Sequence, residues 1–172
     1  MPKVIKRFSV RRRESKFLLR EFSRVLGVDS EKIFGVKPRI EIVNLKRNKT
    51  VYLINGEPLI ATYEDLIFPT LFFKVYVNQL PKVTVDMGAV PHICNGADVM
   101  APGIVRLEGD FEEKSFVVVI DERNRRSIAV AQSIFDSDKT RTIKEGKVFR
   151  TLHYVGDDIW NWIKNLPRVL EK

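Results

Sequence analysis

Apolar residues recur every three or four positions near the start of the chain. These residues are Leu18, Phe22, Val25 and Leu26. Because residues at this spacing share one helix face, they predict an amphipathic helix. Gly27 can adopt the left-handed conformation that ends many helices, and Ser9 is a suitable N-terminal cap. We therefore predict a helix over residues 9–26.

The remainder of the first half contains short segments typical of strands. The segments are Arg39–Leu45, Thr50–Ile54 and Glu57–Tyr63. Asn55-Gly56 between the last two is a strong hairpin signal, because a type I′ turn needs positive φ at both central positions. Pro58 cannot donate a ladder hydrogen bond, so we expect a sheet edge there. Pro69 suits the first turn of a helix that ends near Asn78.

The second half is dominated by strands. The predicted strands are Lys82–Asp86, Val99–Leu107 with a break at Pro102-Gly103, Phe116–Asp121, Ser127–Phe135 and Val148–Tyr154. Short helices are predicted at Gly88–Asn95 and at Asp157–Ile163, the second anchored by Trp160. Many short strands with regular turns predict a small barrel. The chain is thus expected to be α+β, with domains at 1–79 and 80–163 and a tail at 164–172.

Composition narrows the class of protein. The 172 residues are 44% hydrophobic, enough for a buried core, and the one cysteine excludes an internal disulfide. No apolar run reaches the roughly 18 residues of a membrane span, and no signal peptide is visible. We therefore expect a cytoplasmic protein that has no membrane partner.

Positive charge is concentrated in the first half of the chain. Residues 1–80 hold 16 Lys and Arg against 8 Asp and Glu, whereas residues 81–172 hold 14 of each. This asymmetry favours a polyanionic partner, with nucleic acid ahead of a membrane surface. A solvated surface with a chance bias is the alternative.

The predicted first helix carries a stripe of basic residues opposite its apolar face. The stripe consists of Arg13, Lys16, Arg20 and Arg24, and Arg11 and Arg12 extend it at the helix start. Like charges four residues apart destabilise an isolated helix by a few tenths of a kcal/mol. A surface that serves only solubility usually mixes the two signs, so we predict that these residues contact phosphates.

A specific motif lies in the second half. Asp86 closes a strand, a short helix follows, and residues 96–103 read Gly-Ala-x-Val-x-x-Pro-Gly. This run resembles the PUA domain, the RNA-binding module named after pseudouridine synthases and archaeosine transglycosylases. The resemblance covers about residues 80–163 and implies a pseudo-β-barrel.

The first half extends this resemblance. Residues 52–59 and 68–71 are similar to the pre-PUA region of the malignant-T-cell-amplified-sequence family, and the composition is that of an archaeal member. The eukaryotic members of that family act with a partner protein on the small ribosomal subunit, where they help to place or release tRNA. The resemblance therefore implies RNA, rRNA or tRNA, as the ligand, the small ribosomal subunit as the site of action, and a further protein partner.

The resemblance also implies which residues contact RNA. By motif position they are His92, Asn95, Gly96, Ala97, Asp98, Met100 and Ala101, with Arg150 and His153 on the last strand as weaker candidates. Each has a structural alternative. Gly96 can serve only to shape a turn, Asp98 can accept a hydrogen bond from a base or from a backbone N–H, and His153 lies in an apolar context typical of a structural histidine.

No catalytic or metal-binding constellation is visible in the sequence. One Cys and two His do not provide a ligand cluster, and no glycine-rich phosphate loop is present. We therefore predict a protein that is not an enzyme and needs no cofactor or metal. The alternatives are a ribosome-biogenesis factor, the RNA-grasping subunit of a tRNA-modifying enzyme, and a module that docks an acidic protein on the basic stripe.

Overall fold

The computed structural model describes residues 2–167, which form two sheets joined near residue 80. The first sheet is an antiparallel meander in the order β1-β2-β3-β4-β5. Its strands are β1 (Val4–Ser9), β2 (Ile40–Leu45), β3 (Lys49–Ile54), β4 (Glu57–Tyr63) and β5 (Leu66–Pro69). The helices of this half are α1 (Arg12–Leu26), α2 (Ser30–Phe34) and α3 (Lys74–Val77).

The second sheet has the order β7-β11-β10-β9-β6-β8, and its β6–β9 pair is parallel. Its strands are β6 (Lys82–Val85), β7 (Val99–Met100), β8 (Ile104–Glu108), β9 (Phe116–Asp121), β10 (Ser127–Ser133) and β11 (Lys147–Tyr154). Its helices are α4 (Val90–Ile93), α5 (Ser137–Thr142) and α6 (Asp158–Lys164). The sheet curls into a partial barrel, and the predicted α+β class with a C-terminal pseudo-barrel is confirmed.

Helix α1 forms where the apolar spacing predicts it, but it begins later. Phe22 and Leu26 are buried, and Gly27 ends the helix with a φ of 66°. The predicted cap is wrong, because Ser9 is the last residue of β1. Arg11 occupies the N-cap position, and its side chain makes no capping hydrogen bond.

Turn chemistry explains the centre of the first sheet. Asn55 and Gly56 have φ values of 53° and 84°, as the predicted hairpin requires. Strand β4 lies between β3 and β5, but β5 pairs with it only from Ile60 onwards, so the missing N–H of Pro58 lies beyond that pairing.

The helix predicted to start at Pro69 is wrong. Pro69 ends β5, an outer strand that tolerates proline, and the helix is confined to α3.

Each half contributes to a common core. Phe22, Ile60 and Phe68 from the first half pack in one cluster with Ile159 and Trp162 of α6. A second cluster fills the partial barrel itself. Because α6 packs on the core of the first half, and residues 168–172 lie outside the described part, the domain limits 1–79, 80–163 and 164–172 stay predictions.

Within residues 2–167, none of the helices has the length and apolar character that a membrane span requires. The same residues contain no cluster of three or more His, Cys, Asp or Glu side chains placed to hold a metal ion.

A hydrogen bond joins α3 to the end of α1. The Tyr76 hydroxyl donates to the Leu26 carbonyl at 2.8 Å, and burial raises the pKa of Tyr76 to about 12. We expect Tyr76→Phe to lower the free energy of unfolding by about 1 kcal/mol, because the carbonyl loses its partner. Urea unfolding measures this change. Tyr63→Phe is the control, since Tyr63 makes no side-chain hydrogen bond among the described residues, and an equal decrease in both variants would contradict the assignment.

Candidate functional site

The short helix α4 and the strand β7 build a concave surface at one end of the second sheet. Asp86 follows β6, and its Oδ1 accepts the Ala89 N–H at 2.8 Å, which turns the chain into α4. Ile93 is buried in the second core and anchors the helix, whereas His92 is exposed. Helix α4 thus exposes the His92 ring to solvent while Ile93 holds the helix on the second core.

A glycine turn leads from α4 to β7. Gly96 has a φ of 95°, a conformation that glycine adopts without steric cost. The Gly96 and Ala97 N–H groups donate to the carbonyls of Ile93 and His92, both at 3.0 Å, and close the end of the helix. A Cβ atom at position 96 would lie 3.2 Å from Tyr154 Oη. The turn therefore brings backbone close to the last strand in a space that a side chain would fill.

Asp98 fastens this turn to β11. Its Oδ1 accepts the Thr151 N–H at 2.9 Å, and its Oδ2 lies 2.7 Å from Lys147 Nζ. The Thr151 hydroxyl donates to the Ala97 carbonyl at 2.8 Å. Asp98 could accept a hydrogen bond from a base or from a backbone N–H, and in the structure it accepts one from a backbone N–H. This carboxylate therefore joins the turn after α4 to β11.

Strand β7 is an outer strand of the second sheet. It pairs with β11 through Met100 opposite Lys147 and Val99 opposite Phe149. Its other edge has no strand partner within the described residues. Val99 is buried, whereas the Met100 side chain is 49% exposed. Backbone groups and one apolar side chain are thus available at the surface.

Four of the predicted residues line one cavity of about 410 Å³. They are His92, Ala97, Asp98 and Met100, and Asp86, Pro102 and Gly103 complete much of its wall. Asn95 and Gly96 are exposed in the adjoining turn, and Ala101 continues from Met100. Arg150 is exposed on β11 next to Thr151. We name this set the α4–β7 surface: residues 92–101 together with Arg150.

His153 does not belong to this surface. Its side chain is fully buried, its Nδ1 lies 2.7 Å from Asp157 Oδ2, and its ring stacks on Phe68 of β5. A contact between His153 and RNA is incompatible with this burial, so His153 is a structural histidine. Burial raises the pKa of the Asp157 carboxyl, but the hydrogen bond and charge of His153, with two backbone N–H groups, hold that pKa below its usual range.

The predicted basic stripe lies on α1, in the other half of the chain. Its members and their two extensions are all exposed: Arg11, Arg12, Arg13, Lys16, Arg20 and Arg24. The stripe is not uniformly free. Arg24 Nη2 lies 2.7 Å from Glu21 Oε2, and this hydrogen bond lowers the pKa of Glu21. Glu21 thus neutralises the C-terminal end of the stripe.

Lys147 was missed by the sequence reasoning. It is half-exposed beside Asp98 and opposite Met100 in the ladder, so its ammonium group stands at the rim of the α4–β7 surface. A lysine at the start of a strand carries no distinctive local signal. Only the register of β7 on β11 could have located it.

Comparison with known families assigns both halves. Residues 81–155 match the family described as PUA domain, and residues 6–77 match one described as a domain of unknown function, DUF1947. An uncharacterized protein of Methanocaldococcus jannaschii is 33% identical over 162 residues, covering 92% of this chain and 98% of that protein.

Two eukaryotic relatives also match over most of their length. Translation machinery-associated protein 20 of Saccharomyces cerevisiae is 26% identical and covers 90% of this chain and 88% of its own. A malignant T-cell-amplified sequence 1 homolog of Dictyostelium discoideum is 28% identical, covering 88% and 86%. Among solved structures, a hypothetical protein of Pyrococcus horikoshii OT3 superposes with a TM-score of 0.72 at 28% identity, covering 92% of this chain and 99% of that one.

Proposed function

The chain belongs to the PUA-domain family of the malignant T-cell-amplified sequence proteins and translation machinery-associated protein 20, and on that premise we propose that it binds RNA in translation. The PUA domain is an RNA-binding module, and two relatives are named for translation or for the same family. The finer proposal is that the protein acts in the cytoplasm on the small ribosomal subunit, on tRNA or on both.

The observation that carries this proposal is the open edge of β7 beside the Gly96 turn. Backbone N–H and C=O groups on an outer strand can pair with the edges of unstacked bases or with the shallow minor groove of an RNA helix. The exposed His92 ring and Met100 side chain flank these groups. Arg150 adds positive charge for the RNA backbone, which fixes register without reading sequence, and Lys147 lies beside it in an ion pair with Asp98.

We propose that this chain acts by binding and carries no catalytic step of its own. Its one thiol supports this reading, because burial raises the pKa of Cys94 and so disfavours the reactive thiolate. The His153–Asp157 pair is buried in the core and is out of reach of a substrate. A protein partner on the ribosome remains part of the proposal, by analogy with the family.

Crosslinking in the cells that encode the protein, followed by sequencing of the bound RNA, tests this function. We expect enrichment of small-subunit rRNA, of tRNA or of both. Enrichment of precursor rRNA would instead support a biogenesis factor, and stable co-purification with a catalytic subunit would support an RNA-grasping subunit of a modifying enzyme. Recovery of no RNA above a mock control would reject RNA binding.

A further inference from the structure

A second concave surface lies in the first half of the molecule, far along the chain from the α4–β7 surface. It is a groove of about 750 Å³ between α1, α2 and the segment 36–40 that leads into β2. We name it the α1–α2 groove. Its basic lining residues are Arg12, Lys16, Arg20, Lys37 and Arg39. The groove thus gathers two cations of the predicted stripe, its extension Arg12, and two cations from a different segment.

Few negative charges offset the five cations of the groove. Glu31 is the one carboxylate in the lining. Within residues 2–167, none of the five basic side chains forms an ion pair, whereas Arg7 and Arg24 elsewhere in this half are each paired with a glutamate. Cations collected in a concave site focus a positive potential, which raises the local concentration of anions. The expected ligand therefore carries several negative charges.

Apolar residues also line the groove. Val36 is 73% exposed and Leu19 is partly exposed, whereas Pro38 is buried. A ligand that only neutralises charge gains nothing from these residues. A nucleotide has both components, because its sugar and base can cover apolar side chains while its phosphate meets the cationic rim. The volume lies in the range of sites that enclose a small ligand, roughly 300–1,000 Å³.

The combination also selects between forms of RNA. In a base-paired helix the bases are turned inward, so only phosphates and riboses could reach the rim of the groove. An unpaired strand can place a base or a sugar against the apolar side chains of Leu19 and Val36 and run its phosphates past the arginines and lysines. The groove therefore suits a single strand better than a duplex.

We propose that the α1–α2 groove binds single-stranded RNA, with phosphates on Arg12, Lys16, Arg20, Lys37 and Arg39 and one unpaired nucleotide over Leu19 and Val36. This inference rests on the proposed RNA-binding function and adds a second RNA-binding surface to it. The structure also divides the basic stripe: Arg12, Lys16 and Arg20 face the groove, Arg13 lines a separate apolar hollow with Phe17, and Arg24 is paired with Glu21.

The test compares two double variants of the full chain. Lys37→Glu with Arg39→Glu changes the groove, and Lys46→Glu with Lys74→Glu makes the same change in net charge at two exposed lysines outside it. Affinity is measured by fluorescence anisotropy for a ten-nucleotide oligouridylate and for an RNA duplex of the same length. Thermal unfolding of each variant confirms that it is folded.

We expect the groove variant to bind the single strand at least about tenfold more weakly in 0.1 M salt. The slope of log affinity against log salt should fall by about 0.7 for each phosphate that the variant no longer neutralises. The control should change both affinities less than about twofold, and the duplex should respond alike to the two variants. An equal decrease in affinity for the single strand in the groove variant and the control would overturn the groove as a site.

Two further arms separate the alternatives. If uridine monophosphate binds the groove as tightly as the oligonucleotide, the site is one for a free nucleotide and the proposal is wrong. Gly96→Val is measured alongside. If the groove variant keeps its affinity for both RNAs and Gly96→Val binds RNA more weakly, the groove is rejected and the proposed function is left intact. If both variants keep their affinities for RNA, the groove and the proposed function are rejected together.

Discussion

Replacement of Gly96 by valine is expected to lower the affinity for folded RNA at least about tenfold, a decrease of roughly 1.4 kcal/mol in binding free energy. Valine is strained at a φ of 95°, and its Cβ would lie 3.2 Å from Tyr154 Oη. The turn must shift to relieve both, and Ala97 to Met100 shift with it. RNA binding titrations on purified protein measure the change.

Gly156→Val is the matched control for this experiment. Gly156 has the same φ of 95° but has open space around it, and it lies in the turn between β11 and α6. Gly156→Val should lower the free energy of unfolding about as much as Gly96→Val does, through the same backbone strain, while leaving the affinity for RNA within about twofold of the parent. If Gly96→Val retains parental affinity, the turn shapes the fold and does not form the RNA surface.

Replacement of Asp157 by alanine is expected to lower the free energy of unfolding by about 3–5 kcal/mol. The buried carboxylate accepts the Trp160 N–H at 2.7 Å as the cap of α6, accepts the Tyr154 N–H at 3.1 Å, and holds His153 Nδ1 at 2.7 Å. Alanine leaves these buried groups without their partner. Urea unfolding monitored by tryptophan fluorescence reports the change, since α6 carries both tryptophans.

The adjacent Asp158→Ala provides the comparison. Asp158 is partly exposed and faces Lys49 at 3.2 Å, a surface ion pair expected to contribute no more than about 1 kcal/mol.

The pH dependence of unfolding gives a second measurement of the role of Asp157. Because the folded state lowers the pKa of Asp157, its stabilising effect is present above the usual carboxyl pKa and disappears as the pH falls below about 4. Asp157→Ala should flatten that acid-induced decrease in stability, and equal destabilisation by the two variants would contradict the assigned role.

Sequence reasoning succeeded where one local requirement decides the structure. Asn55 and Gly56 form the predicted hairpin because few residues accept positive φ, and Phe22 and Leu26 are buried because a helix must place them on one face. Gly96 likewise has a positive φ at the end of α4, where the sequence places a glycine, while the role of the α4–β7 surface in RNA binding stays a proposal.

Elements without an apolar pattern were missed. Strand β1 is almost wholly exposed, so Val4–Ser9 shows no alternation of buried and exposed side chains, and it forms because it pairs with β2. Helix α5 was missed within a polar stretch, where Asp136 caps it by accepting the Lys139 N–H. Pro69 was assigned to a helix because proline suits both a first helical turn and an outer strand.

Sites assembled from distant segments were predicted only in part. His153 shares β11 with the exposed Arg150, and its apolar sequence context left both roles open until its contacts with Asp157 and Phe68 placed it in the core. Lys37 and Arg39 line the α1–α2 groove because the start of β2 lies beside the start of α1, where the Val10 N–H donates to the Ile40 carbonyl at 2.9 Å. A charge count along the chain locates the basic half but does not reveal such a groove.

The proposed function requires RNA to lie on the α4–β7 surface. Photocrosslinking of the intact protein to its bound RNA, followed by mass spectrometry of the modified peptides, shows which segments the RNA contacts. We expect nucleotide adducts within residues 86–103 and on the segment around Lys147 and Arg150. Efficient crosslinking confined to other segments, with residues 92–101 unmodified, would reject RNA binding at the α4–β7 surface.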